Sequence, residues 1–365
     1  MKNDTRKARV RDMREQQIII GLLAVLALVA IGTVLYLLQA VLLPFVIAMF
    51  LSFIFKPVVL FLRKRRVPMA LALIAVVVVI AGLLYGVSMI VVGSVEAFIS
   101  ALPRYEARMV ALVESALATA SGIASIFGVS LDDVKPGDTL GSLAPLISSS
   151  FGSIISLVSN GFLILLFLIF MLAGSGSLTR KIAQAFPPGR AETTATVIAH
   201  IDERVRRYMI VKTAISALTG ALVAVVLAIL GVDFALLWGF LTFLLNFIPN
   251  VGSLFATVFP VLIALLQFDS PARAIIALVL LIVLQNLVGN VLEPKLMAFS
   301  LNLSPLLILA SLIFWGWLWG IWGMILAVPL MSMIKIVFEQ VDTLRPIAVL
   351  MSGTTKGERM NVNDG

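Results

Sequence analysis

The chain has 365 residues, of which 61% are hydrophobic and 13% are charged, and a soluble globule of this composition would expose too much apolar surface. The composition therefore predicts an all-α, multi-pass membrane protein, and the absence of cysteine with a single histidine argues against an enzyme, a metal centre or a cofactor. The net charge of +8 lies in short basic blocks beside apolar runs, which favours cytoplasmic loops and a lipid bilayer over nucleic acid as partners.

The first part of the chain combines basic blocks with apolar runs. In order, it holds a basic amino terminus at 1–17 and three transmembrane segments within 18–95, namely 18–38, 41–62 and 67–95. The first run is too long for a signal-peptide core, so we expect an uncleaved anchor with a cytoplasmic amino terminus. Pro44 and Pro57 interrupt the second run and leave open either a kinked span or a re-entrant hairpin.

The middle of the chain is less apolar. Residues 96–150 carry six acidic and three basic side chains, which predicts an extracytoplasmic position. Apolar residues recur there at helical spacing and predict an amphipathic helix on the membrane face or on a neighbouring subunit: Phe98, Leu102, Tyr105, Met109, Leu112 and Leu117. Transmembrane segment 4 follows at 151–173, and 174–209 reads as a cytoplasmic amphipathic helix in which Asp202 and Arg206 are spaced for an ion pair.

Residues 210–338 hold the last four predicted transmembrane segments and most of the motifs. The predicted runs are 210–230, 234–267, 274–292 and 303–338, followed by a polar cytoplasmic tail at 339–365. This gives about eight transmembrane segments at ~20 residues per crossing. An even number of crossings places both termini in the cytoplasm.

The run at 234–267 is interrupted in its middle, between Asn246 and Ser253. Pro249 lacks an amide donor and Gly252 loosens the backbone, so peptide groups are exposed that lipid cannot satisfy. A break of this kind is tolerated only where it faces protein or a wet cavity. It is therefore predicted to form the substrate site or its gate.

Polar side chains inside the neighbouring span complete this predicted site. The candidates are Asn246, Pro249, Asn250, Gly252 and Ser253 at the break, with Gln285, Asn286, Asn290 and Glu293 at the end of the seventh span. Asn286, Asn290 and Glu293 share one helical face, and facing Asn246 they would bind a small, polar, neutral ligand. Alternatively, the asparagines cap helix ends and join helices, and Glu293 either couples ions or stabilises a helix end.

The last run is longer than one crossing needs. Near its centre, from Trp315 to Gly320, three tryptophans alternate with two glycines and one leucine. Glycine there either breaks it into two short helices, forming a second re-entrant element, or lets one long tilted helix pack closely. Hinge or packing roles are predicted for Pro44, Pro57, Pro294, Gly316, Gly320, Gly323 and Pro329.

Several motifs follow one another in a fixed order. They are Gly231-Val232, Ala235-Leu236-Leu237-Trp238-Gly239, Asn246-Phe247-Ile248-Pro249 with Gly252, Asn290 with Glu293-Pro294, Leu303-Ser304-Pro305, and Phe314-Trp315-Gly316-Trp317-Leu318-Trp319-Gly320 with Gly323 and Leu326-Ala327-Val328-Pro329. With these motifs the chain resembles the autoinducer-2 exporter family, also known as the PerM-like permeases, from about Ile18 to Phe338. At the position after Pro249 the family pattern has an aromatic residue, where this chain has Asn250.

The resemblance implies a secondary transporter of the bacterial inner membrane that exports a small polar signalling molecule, autoinducer-2 or a similar one. It also implies a homo-oligomer, a pentamer, and helical hairpins that move in an elevator-like way. Two alternatives remain open. One is a sodium or lithium/proton antiporter that depends on Glu293. The other is an oligomeric membrane scaffold whose extracytoplasmic helix binds a partner.

Overall fold

The computed structural model describes residues 19, 21–23, 26–27, 29–126, 161–174, 187–297, 303–341 and 343–353. The predictions for 1–17, 127–160, 175–186 and the tail beyond 353 lie outside these residues. The described helices are α1 (Gln39–Lys64), α2 (Met69–Ile126), α3 (Gly161–Gly174), α4 (Pro188–Leu230), α5 (Ala235–Leu245), α6 (Val251–Gln267), α7 (Ala272–Asn286), a π-helical turn (Leu287–Leu292), α8 (Glu293–Leu296), α9 (Pro305–Gln340) and α10 (Arg345–Leu350). The predicted all-α fold is confirmed.

Five of the helical stretches are long and apolar enough to cross a membrane, judged by length and composition. They are Gln39–Lys64, Met69–Leu112, Thr194–Leu230, Ala272–Leu296 and Pro305–Gln340. Three shorter apolar helices, α3, α5 and α6, accompany them. The chain is therefore a multi-pass membrane protein.

Helix α1 runs without a break through both of its prolines. Pro44 and Pro57 lie inside its 26 residues, so the second apolar run is one helix and not a re-entrant hairpin. Its apolar face packs on α2 and α3, and the buried residues of this contact include Ala48, Val76 and Leu168. We call this group of three helices the scaffold.

Helix α2 extends far beyond the predicted end of the third span. Its 58 residues correspond to about 87 Å, nearly three times the thickness of a hydrocarbon core. The predicted amphipathic helix is thus the second half of α2. Phe98 and Tyr105 of this half pack on the chain itself, beside α4 and α6.

Helix α4 unites the predicted cytoplasmic helix and the fifth span. It ends at Gly231, whose φ of 72° is the left-handed conformation that glycine adopts without steric cost. Asp202 near its start accepts a hydrogen bond of 2.8 Å from Lys56 of α1. Arg206 lies 3.8 Å from the same carboxylate, as the i,i+4 spacing predicts.

The run at 234–267 is a helical hairpin and does not cross the membrane once as a broken span. Trp238 on α5 stacks on Phe259 on α6 with ring centroids 6.2 Å apart, whereas a continuous helix would separate them by about 31 Å. At the open end, Gln267 accepts a hydrogen bond of 2.8 Å from the backbone amide of Asp233. We call α5, the turn at 246–250 and α6 hairpin 1.

The turn of hairpin 1 depends on the residues that predicted a break. Pro249 has no amide donor, and Asn250 adopts a φ of 61° before α6 begins. Gly252 packs its backbone on the carbonyl oxygen of Leu245, where a Cβ would collide. The sequence thus predicted the interruption, but the chain reverses there instead of continuing across the bilayer.

Helix α9 contains a second reversal, which settles the alternative left open for the last run. Trp319 and Gly320 leave helical geometry, with φ of −128° and 63°. A Cβ at Gly316 would lie 2.8 Å from the side chain of Met324, although these residues are about 12 Å apart along a continuous helix. Residues 305–318 and 321–340 are therefore two antiparallel arms, which we call hairpin 2.

The tips of the two hairpins both contribute side chains to one buried cluster, which we call the tip cluster. Phe247 and Ile248 from hairpin 1 and Trp315, Leu318 and Trp319 from hairpin 2 belong to it. Because the runs at 234–267 and 303–338 fold back as hairpins, the predicted count of about eight crossings falls by two and stays even. The architecture is thus a scaffold of three helices beside a unit in which both hairpin tips contribute to one buried cluster.

Candidate functional site

Helix α4 carries a stripe of buried polar side chains on the face that packs against hairpin 1. Tyr208, Lys212, Ser216 and Thr219 follow at intervals of four, four and three residues and therefore share one face. Lys212 is 4% exposed, and Ser216 and Thr219 are fully buried. Buried polar groups inside a membrane segment are costly, so each needs a partner or a function.

Asn246, at the tip of hairpin 1, contacts this stripe directly. Its Nδ2 donates a hydrogen bond of 3.0 Å to Ser216 Oγ. Asn246 follows α5 as the first residue of the turn, so the contact ties the reversal point to the middle of α4. The predicted site residue Asn246 therefore has a buried polar neighbour that the sequence pattern did not identify.

Glu293 pairs with Lys212 one helical turn away from this contact. Lys212 Nζ lies 2.6 Å from Glu293 Oε1, and the two side chains are 5% and 25% exposed. An unpaired charge at this depth would be strongly unfavourable, so the ion pair compensates both groups. The pair is enclosed on the lysine side and more open on the carboxylate side.

The π-helical turn explains how Glu293 reaches Lys212. Residues Leu287–Leu292 form this turn between α7 and α8. Its extra residue per turn rotates the following helix relative to α7, and such turns occur often at functional sites. Pro294 follows this turn, as the second residue of α8.

The other polar residues of α7 and the π-helical turn lie on the outer face. Asn286 Nδ2 donates to the carbonyl of Ile282 at 2.8 Å, and Asn290 Nδ2 donates to Asn286 Oδ1 at 2.9 Å. Both asparagines are exposed, whereas Val288 is buried in the tip cluster. Asn286 and Asn290 share a face as their spacing predicts, but the described residues contain no hydrogen bond from them to Asn246.

Two further predicted residues lie at the outer side of the hairpin 1 turn. Asn250 is exposed, and its carbonyl accepts a hydrogen bond of 2.9 Å from Ser253 Oγ. Pro249 and Gln285 are half-buried. The structure therefore divides the predicted site into a half-buried centre, where Asn246 and Glu293 contact the buried stripe of α4, and an outer rim.

Hairpin 2 contributes indole groups to the tip cluster. Trp319 Nε1 donates to the carbonyl of Leu35 at 3.4 Å. Among the described residues, the buried Nε1 groups of Trp315 and Trp322 have no hydrogen-bond partner. Gly323 packs on the carbonyl oxygen of Trp315, where a Cβ would collide. Pro329 is buried in the second arm of hairpin 2 and does not interrupt it.

The open end of hairpin 1 is closed by polar contacts from α2. Arg104 Nη2 and the Tyr105 hydroxyl each donate to Asp233 Oδ2 at 2.7 Å. Arg108 donates to the backbone carbonyl of Asp269 at 2.7 Å. One turn of α2 therefore fixes both arms of hairpin 1 at their ends, and we call these contacts the base clamp.

The sequence reasoning missed Lys212 and Ser216. Both lie in the predicted span 210–230, and a lysine inside an apolar run is itself a signal of an intramembrane function. The partner of Lys212 lies 81 positions along the chain. Only the folded chain shows that Lys212 and Glu293 form a pair.

Comparison with known proteins confirms the family resemblance. A family model described as AI-2E family transporter matches residues 24–342. The AI-2 transport protein TqsA of Escherichia coli K12 is 32% identical over 318 residues, which cover 87% of this chain and 90% of that protein. A protein of Borreliella burgdorferi, whose name gives only a transport role, is 30% identical over 317 residues, covering 87% and 86%.

Proposed function

The chain belongs to the AI-2E transporter family, and from this premise we propose that it exports a small polar signalling molecule, autoinducer-2 or one like it, across the bacterial inner membrane. The name of the Escherichia coli relative supports this substrate class. The substrate site lies at the tip of hairpin 1, beside the contact between Asn246 and the polar stripe of α4.

One observation carries the proposal, namely the contact between Asn246 and Ser216 inside the membrane region. A re-entrant turn leaves backbone groups without intrahelical partners, and these are tolerated where they line a polar cavity. Ligand sites of transporters are often built from such interrupted helices near the middle of the bilayer. Hydroxyl, amide and indole groups around the tips suit a solute rich in hydroxyl or carbonyl oxygens.

Transport requires that the site face the two sides of the membrane in turn. We assign this movement to the two hairpins, which would slide past the scaffold as in an elevator. The scaffold has buried residues of its own, and α1 also places Val46 and Phe50 in the tip cluster, where it would form the surface along which the hairpins slide. Gly316, Gly320 and Gly323 form the tight turn of hairpin 2, and Pro44, Pro57, Pro294 and Pro329 are the proposed bending points.

The topology proposal keeps both termini in the cytoplasm. Basic residues precede α2 at 63–66, and the base clamp lies in the second half of that helix. Hairpin 1 therefore opens toward the outside, and hairpin 2 opens toward the cytoplasm after α7 crosses back. Assembly as a homo-oligomer, a pentamer, belongs to the same proposal, as does a lipid environment around exposed apolar side chains such as Ile275 and Val279.

Export from inverted membrane vesicles tests this proposal. Vesicles with the protein should accumulate labelled autoinducer-2, and the Asn246→Leu variant should lose most of this activity because its tip no longer contacts Ser216. Ser52→Ala is the control, since within the described part of the chain Ser52 bonds only to a carbonyl of its own helix. Accumulation by the Asn246→Leu variant at the wild-type rate would contradict the site assignment.

Ion antiport is the second candidate, and the position of Glu293 is the observation that favours it. Glu293 is a partly buried carboxylate next to an ammonium group, so a sodium or lithium ion could compete with Lys212 for it. Glu293→Gln should then abolish sodium-driven proton movement in vesicles. Unchanged proton movement in that variant would exclude this candidate.

A further inference from the structure

The Lys212–Glu293 ion pair lies beside the proposed solute site. Lys212 and Ser216 are four residues apart on α4, so their side chains are neighbours on one face. Ser216 in turn holds Asn246 at the tip of hairpin 1. A solute bound at this tip would therefore lie within about one helical turn of both charges.

The two charges cancel each other when the pair is intact. The 2.6 Å contact places opposite charges together in a largely enclosed position. A solute that brings its own charge would disturb this balance, because an uncompensated charge is strongly unfavourable in a poorly hydrated site. An uncharged solute would lose only hydrogen bonds to water, which amide and hydroxyl groups nearby can replace.

We propose that the Lys212–Glu293 pair acts as a charge filter that makes the transporter select uncharged, hydroxyl-bearing solutes over anions and cations. This inference rests on the proposed function and adds the determinant of specificity. The filter acts because the two charges of the pair neutralise each other, and not because either side chain contacts a particular solute atom. Removing one member of the pair should therefore change which charge is accepted, and not merely weaken transport.

Transport of three matched probes into proteoliposomes tests the filter. The probes are D-ribose, which is neutral, D-ribonate, which is anionic, and 2-amino-2-deoxy-D-ribose, which is cationic. The wild-type protein should transport ribose roughly tenfold faster than either charged probe, because charge mismatch costs that much or more. Equal rates for all three probes would overturn the inference.

Single replacements should shift the preference in opposite directions. Glu293→Gln leaves Lys212 uncompensated and should favour ribonate, whereas Lys212→Gln should favour the amino sugar. The double variant Lys212→Gln/Glu293→Gln is neutral again and should return to ribose. If the pair were only structural, both single variants would lose transport of all probes by the same factor.

A milder change keeps the test decisive if the single variants do not fold. Asn246→Asp has nearly the same shape and adds one negative charge next to Ser216. It should raise the rate for the amino sugar relative to ribonate by roughly tenfold. An unchanged ratio would overturn the inference. Absence of ribose transport and of autoinducer-2 transport by the wild-type protein would instead contradict the proposed function itself.

Discussion

Hairpin 1 and hairpin 2 reverse the chain in the same way but present different chemistry at their tips. In hairpin 1, Asn246 reaches a buried hydroxyl of α4. In hairpin 2, Trp315, Trp319 and Leu318 fill a largely apolar cluster. Both hairpins thus reverse through their backbone geometry. The tip of hairpin 1 makes a polar contact, whereas the tip of hairpin 2 packs aromatic side chains.

The open ends of the hairpins differ as well. Hairpin 1 is held by side chains, through Arg104 and Tyr105 of α2 on Asp233. Hairpin 2 is held by an ion pair, in which Glu339 lies 3.6 Å from Arg204 of α4, and also by backbone, since the amide of Ser304 donates to the carbonyl of Met351 at 2.9 Å. Side-chain contacts at a surface respond to salt and substitution far more than a backbone hydrogen bond does. Hairpin 1 should therefore be the easier of the two to release.

The largest expected effect on stability concerns a feature of both hairpins, namely a glycine packed on a backbone carbonyl. Gly252→Ala and Gly323→Ala should each destabilise the protein by about 3 kcal/mol or more, because the new Cβ would collide with a backbone carbonyl that no rotamer change can move. Thermal unfolding in detergent measures this loss. Gly289→Ala is the control, since a Cβ there would meet open space.

The next largest effect should distinguish the tip of hairpin 1 from the tip of hairpin 2 in transport. Asn246→Leu leaves the buried hydroxyl of Ser216 without its partner and should cost about 1–3 kcal/mol, together with most of the transport activity. Trp319→Phe keeps an aromatic ring in the cluster and removes only the bond to Leu35, so transport should persist. Equal loss of transport in both variants would show that the tips do not differ in function.

A double-mutant cycle makes this comparison sharper. If Asn246 and Ser216 act through their hydrogen bond, the losses in Asn246→Leu and Ser216→Ala should not add, and the coupling energy should be about 1 kcal/mol. Unfolding curves of the four proteins give this value. Strict additivity would mean that the 3.0 Å contact contributes little to stability.

The local steric features of both hairpins were predictable from the sequence, and the long-range contacts were not. Pro249 with Gly252, and the glycines among tryptophans near Gly320, identify the two breaks because proline and glycine act on their own backbone. Whether the chain reverses at a break depends on packing, which is why 234–267 was predicted as one crossing. Because it also depends on packing, the continuation of α2 as far as the base clamp could not be predicted from the sequence.

The candidate site shows the same limit. The spacing of Asn286 and Asn290 correctly placed them on one face, but it could not show that this face points outward. Glu293 differs because the π-helical turn rotates it toward Lys212. A turn of that type has no signature in hydrophobic periodicity, so the pairing could not be derived from the pattern alone.

A smaller effect is expected at the base clamp, which only hairpin 1 has. Asp233→Asn should lower stability by about 1 kcal/mol, since exposed ion pairs contribute little and Arg104 is 58% exposed. The loss should shrink as sodium chloride is raised, because salt screens exposed charges. Thermal unfolding at several salt concentrations tests this. A salt-independent loss would point to the Tyr105 hydroxyl bond rather than to the ion pair.

The smallest effect is expected at the outer rim, where Asn290 bonds only to Asn286 among the described contacts. Asn290→Leu should leave stability within about 0.5 kcal/mol of the wild type, as exposed positions usually do. Exposed asparagines inside a membrane segment are nevertheless unfavourable next to lipid, so this face is expected to meet water or protein. If it borders the solute path, transport should fall by about threefold, which corresponds to one modest hydrogen bond. Normal export by Asn290→Leu would remove Asn286 and Asn290 from the site and leave Asn246, Lys212 and Glu293 as its polar centre.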